Sequence, residues 1–94
     1  MPEVQFRVRW PDQSSSLCYS PSSTIREAYT LGHPYPLAEF VARSRAALEH
    51  ASLRVAQKYG FGCAHAALQI REIEAAAAQF AGDPQATVTV ESYE

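Results

Sequence analysis

Lysine is almost missing from this chain. Lys58 stands alone beside seven arginines and is outnumbered by ten acidic residues, for a formal charge of −2. A general grip on nucleic acid needs a concentrated positive field, so no nucleic-acid partner is expected. Cysteine is scarce too: Cys18 and Cys63 are too few for a disulfide scaffold, and both read as small buried hydrophobes. No apolar run approaches the roughly 20 residues of a membrane span. The opening Met-Pro-Glu-Val-Gln-Phe-Arg lacks the basic-then-apolar order of a signal peptide. No membrane association and a cytoplasmic location are the expectations. Glycine is limited to four residues, two of them in the junction Tyr59-Gly60-Phe61-Gly62-Cys63, where glycine ends a helix in the left-handed conformation.

What remains is an ordinary globular composition. Of 94 residues, 47% are hydrophobic and 19% charged, enough for one core and a single domain over residues 1–94. From Glu3 to Trp10 the residues alternate, with Val4, Phe6, Val8 and Trp10 opposite Gln5, Arg7 and Arg9, the period of a half-buried strand. Pro11-Asp12-Gln13-Ser14 has turn composition, and Ser15 to Ser20 can return as a hairpin partner. The stretch from Pro21 to Tyr35 holds Pro21, Gly32 and Pro34 and reads as a long connection. Thr24 and Glu27, in capping-box spacing, place one short helix near Ile25 to Tyr29.

Pro36 suits the first position of a helix. Leu37, Phe40, Val41, Ser44, Leu48, Ala51, Val55 and Tyr59 then recur at three-and-four spacing, one apolar stripe of a helix from Pro36 to Tyr59. Beyond the glycines, Ala66, Ile70, Ile73, Ala77 and Phe80 build a second stripe on an alanine-rich helix from Gly62 to Phe80, stopped by Gly82-Asp83-Pro84. The segment from Ala86 to Tyr93 alternates again, with Val88 and Val90 facing one way and Thr87, Thr89, Glu91 and Tyr93 the other. The order strand, strand, helix, helix, strand gives an α+β fold. Its expected form is a three-stranded antiparallel sheet of order 2-1-3, with an antiparallel pair of long helices on one face and a polar opposite face.

Residues with chemical potential are few. Cys63 and His65 are two apart on a helix, about 200° around its axis, and cannot chelate one ion from within it. His50 lies well away from His65, so no zinc spacing survives, and no metal or cofactor is expected. Cys63 in the first turn of a helix feels the positive end of the dipole, with His65 near, but no base and oxyanion donor are evident to complete a catalytic set. Should a small molecule bind, the expected pocket is bordered by Tyr19, Ser20, His33, Tyr35, Cys63 and His65, where the long connection meets the second helix. Arg7 and Arg9 on the outward sheet face form either an anion-binding patch or cross-strand pairs with Glu91. Leu53 with Ala42 and Ala46, and Leu68 with Ala64 and Ala75, lie opposite the main stripes. They read as small apolar strips suited to docking, with a homodimer as one outcome.

The blocks Arg7-Val8-Arg9-Trp10-Pro11-Asp12, Cys18-Tyr19-Ser20-Pro21-Ser22, Tyr35-Pro36-Leu37-Ala38-Glu39-Phe40-Val41 with Arg43-Ser44-Arg45, and Lys58-Tyr59-Gly60-Phe61-Gly62-Cys63 carry a resemblance over nearly the whole chain. The chain resembles the bacterial nitrogen starvation response small-protein family. That resemblance implies gene clusters containing a nitrilase-type hydrolase, a radical SAM enzyme, an N-acetyltransferase and a flavin-dependent oxidoreductase, and it implies no reaction for the small protein itself. Where the family often has glycine after the Pro-Asp turn, this chain has Gln13.

Three functional readings follow. The first is a non-catalytic accessory protein of such a cluster, binding a partner enzyme or a pathway small molecule. The second is a small enzyme or carrier using Cys63, and the third a ligand-sensing or nucleic-acid-binding regulator.

Overall fold

The structure, a computed structural model, describes residues 3–60 and 64–94, without the side chain of Tyr59. Strand β1 (Val4–Arg9) runs antiparallel to β2 (Ser15–Ser20). A 3-10 helix (Ser23–Glu27) and a short strand β3 (Pro34–Pro36) precede helix α1 (Leu37–Tyr59). Helix α2 (Ala64–Ala78) and strand β4 (Thr87–Tyr93) complete the chain. The fold is α+β, but the sheet has four strands in the order β2-β1-β4-β3, not three. The last strand does lie beside the first. The additional strand is Pro34-Tyr35-Pro36, antiparallel to β4, in the stretch read from sequence as connection. Two prolines argue against a central strand, yet on a sheet edge their missing N–H groups cost no ladder bonds.

The β1–β4 ladder changes the reading of the C-terminal strand. Val8 pairs with Val90 but Arg7 pairs with Ser92, so Glu91 is an extra residue in β4, a β-bulge that re-phases the strand after it. Tyr93 therefore aligns with Phe6 and packs against the core, instead of pointing outward beside Glu91. Its hydroxyl, 3.3–3.4 Å from the carbonyls of Ile25, Arg26 and Tyr29, ties down the connection between β2 and β3. Another departure is at the 3-10 helix, where the cap is Ser22, whose hydroxyl accepts from the Thr24 N–H.

The core lies between the sheet and the inner stripes of the helices. Val4, Phe6, Val8, Val88 and Val90 face Phe40, Leu48, Ile70 and Ile73. An aromatic chain crosses it: Tyr29 stacks on Phe40 at 5.5 Å and meets Phe6 at 5.7 Å, and Trp10 meets Phe40 edge-on at 5.7 Å. Polar atoms carried inside are satisfied, as burial requires. Ser44, in the apolar stripe of α1, bonds the Tyr29 hydroxyl at 2.5 Å, and the Trp10 indole N–H donates to Ser16. Gly60 ends α1 at φ +86°, its N–H returned to the Ala56 carbonyl. Gln13 occupies the left-handed region at φ +72°, a conformation that glycine adopts at no steric cost.

Both edges of the sheet are partly blocked, although β2 still exposes Ser15 and Leu17. On β3, Pro34 and Pro36 offer no N–H. Beside β2 lies α2, whose buried Gln69 accepts the Tyr19 N–H through its side-chain oxygen at 3.0 Å. An edge covered by a helix or carrying proline is a poor template for pairing.

Candidate functional site

The residues expected to border one pocket separate into two groups. Tyr19 is on β2 and meets the imidazole of His65, in the first turn of α2, with ring centroids 4.8 Å apart. His33 and Tyr35 meet edge-on at 4.6 Å near β3, where the Arg43 guanidinium sits 4.9 Å from the Tyr35 ring centroid. Strands β2 and β3 are opposite edges of the sheet, about 14 Å apart at ordinary strand spacing. Ser20 is fully buried, its hydroxyl donating to the Ser22 carbonyl and accepting from the Ser22 N–H. The Tyr35 hydroxyl accepts from the Thr30 N–H at 2.7 Å. Cys63 and the start of the second helix at Gly62 lie outside the described residues.

The remaining thiol is built into the core. Cys18 is buried, and burial, reinforced by the Glu72 carboxylate, pushes its pKa up to about 12, which removes the thiolate that nucleophilic chemistry needs. Burial likewise pushes the Tyr29 hydroxyl up, with the Ser44 bond opposing it in part. Among the described residues no three His, Cys, Asp or Glu side chains converge to hold a metal ion. On the outer sheet face, Arg9 donates to Glu91 through Nε and Nη2 at 3.0 and 2.8 Å, and Arg7 to Glu94 at 3.2 Å. Each arginine thus has a cross-strand carboxylate partner, which leaves the face without a free positive patch.

A different feature was missed in the sequence. Where α1 begins and α2 ends, the two helices leave an apolar groove of about 590 Å³, lined among others by Leu37, Val41, Ala42, Ala77 and Ala81, with the Asp83 carboxylate the single ionisable group in the lining. Its volume falls in the range of small-molecule sites. The groove exists because the end of α2 and the turn after it present only alanine there, at 77, 78 and 81, so no long side chain fills the space between the helices. The local signal was that alanine run, which from sequence speaks only of helix propensity.

The family model of the nitrogen starvation-induced protein NitG matches residues 5–93. The chain belongs to that family. The match begins inside β1 and runs to the end of β4, taking in both helices, and the family description reports a condition under which the protein is induced, with no chemistry attached. No curated protein and no solved structure gives a match. Among the described residues no helix is long and apolar enough to cross a membrane.

Proposed function

We propose that this nitrogen starvation-induced protein is a non-catalytic accessory protein that binds a partner enzyme or small molecule of a nitrogen-handling pathway, of the kind encoded with a nitrilase-type hydrolase. The observation that carries this reading is the groove between the start of α1 and the end of α2. Its walls supply shape and apolar surface, the currency of binding, and a lone carboxylate at Asp83 without the base, nucleophile and oxyanion donors of a reacting site. Elsewhere, the buried side-chain N and O atoms of the described residues are all hydrogen-bonded, which supports structural roles for them. Co-purification of the tagged chain with each enzyme of a nitrilase-type cluster tests the reading. Capture of one enzyme, lost when Ala81→Trp fills the groove, is the expected result. A chain that binds none of them and no pathway metabolite overturns it.

A second reading is favoured by the Tyr19–His65 contact, which stands two residues from Cys63 in sequence: a small enzyme or carrier working through that thiol. Thiol labelling against pH separates the two. A Cys63 that reacts no faster in the native than in the denatured chain, with Cys63→Ser fully functional, removes this alternative.

A further inference from the structure

The outer surface of the helical layer, turned away from the sheet, carries a second periodic stripe on each helix. In α1 it includes Ala46, Glu49 and Leu53, and in α2 Leu68, Arg71 and Ala75, all exposed. The leucines stand 56% and 47% exposed. An isolated exposed leucine means little, but these two lie on adjacent helices, in stripes with the four-three spacing of helix-packing seams.

The two stripes match each other. Within one chain the Arg45–Glu74 ion pair at 3.0 Å marks the level at which the antiparallel helices face one another. Counting along each helix from that pair sets Leu53 level with Leu68, Glu49 with Arg71 and Ala46 with Ala75, to within about 3 Å at 1.5 Å per residue. A twofold axis parallel to the helices and lying over the cleft between them carries α1 of one copy onto α2 of the other, antiparallel. Leucine then meets leucine, alanine meets alanine at close approach, and Glu49 meets Arg71, each twice.

Charge points to the same occupant. Arg45 bonds both Glu49 and Glu74, and Arg71, which lines the same cleft, balances the charge of that cluster. Arg71 beside it has no carboxylate partner within its own chain among the described residues. Under the twofold axis Glu49 of the opposite copy supplies that partner. The contact is limited by α2, whose 15 residues span about 22 Å, so the face measures about 22 by 20 Å, on the order of 900 Å² for a pair, the size of weak, transient interfaces.

We infer that the protein is a twofold dimer through the outer face of its helical layer, with Leu53 on Leu68 and Glu49 on Arg71 of the opposite copy. The axis brings the two apolar grooves mouth to mouth, and the pairing holds whether or not they bind anything.

Sedimentation equilibrium of the full chain tests this, with twice the 10.4 kDa chain mass as the expected result. Leu53→Glu should weaken the dimer by about 100-fold, since it places an unpaired carboxylate in a desolvated patch. Glu49→Arg alone and Arg71→Glu alone should each weaken self-association by about 10-fold through like-charge contacts. Mixed in equal amounts, these two variants form a heterodimer in which both contacts are matched, and affinity should return to within about threefold of the unaltered chain. A role confined to one chain gives no such recovery. A chain monomeric up to about 100 µM, well past the micromolar range of weak complexes, overturns the inference. So does a dimer indifferent to Leu53→Glu, a mixture that does not recover, or a Leu53 needed only for capture of a different protein.

Discussion

The two faces of the helical layer are made from the same helices and composed on different rules. Inward, α1 presents Phe40, Ser44, Leu48 and Ala51 and α2 presents Ile70 and Ile73, all buried. Outward, the stripes hold alanines, two half-exposed leucines, Glu49 and Arg71. The inner face is crowded with large side chains of fixed shape, and any change of volume there is felt directly. The outer face keeps helix propensity high while spending little on the fold of one chain. Packing of the single chain thus dictates the inner stripe residue by residue, whereas the outer stripe answers only to helix propensity and to ion pairs such as Arg45–Glu49.

Substitutions can break that comparison. Leu48→Ala, in the fully buried stripe, should cost about 2–5 kcal/mol in denaturant unfolding. Leu53→Ala, at dilutions where the chain is monomeric, should change stability by no more than about 0.5 kcal/mol. Comparable losses at both sites would remove the distinction.

Alkaline pH probes the inner face by another route. In the folded chain the Cys18 thiol has its pKa raised from 9.0 to about 12, and burial raises Tyr29 as well. A group whose folded pKa is raised contributes stability that is complete below its unfolded pKa and lost as pH rises through the folded one. Unfolding free energy should therefore fall between about pH 9 and 12, and Cys18→Ala should flatten the profile. Stability independent of pH across that window would contradict the burial of the thiol.

Smaller effects sharpen the picture. Tyr29→Phe leaves the buried Ser44 hydroxyl without the partner it has at 2.5 Å and should cost about 1–2 kcal/mol, readable as a lower thermal midpoint. At the hairpin, Gln13→Gly removes the cost of holding a side chain at φ +72°. It should stabilise by up to about 1 kcal/mol, the left-handed penalty less the added freedom of the unfolded chain; a loss of stability would show that the glutamine side chain contributes more than its backbone costs.

How much was legible in the sequence varied with the kind of signal. The alternation in Val4 to Trp10 and the long stripe from Leu37 are periodic, and periodicity reports directly on which face is buried. The pairing of Arg9 with Glu91 was open as one of two outcomes, and the ladder chose it. Pro34-Tyr35-Pro36 was hidden because proline signals the absence of strand everywhere except at an edge, and edge position is not a local property. Tyr93 was assigned to the wrong face because alternation was extended through Glu91, where the bulge shifts it by one residue. The predicted ligand set failed to come together for a similar reason: Tyr19 and Tyr35 both border the long connection in sequence, but the sheet order sends them to opposite edges.

The local periods were already in the sequence: two apolar stripes on two helices, two alternating strands as far as the Glu91 bulge, and glycine at the helix stop. Those follow from side-chain burial, which repeats every 3.6 or two residues and needs no knowledge of neighbours. Tertiary structure decided the fourth strand, the turning of Tyr93 inward, the partial covering of the sheet edges and the groove between the helix ends. Each depends on which distant segments lie side by side. It also set the outer stripes of α1 and α2 at matching levels, a relation that neither helix shows alone.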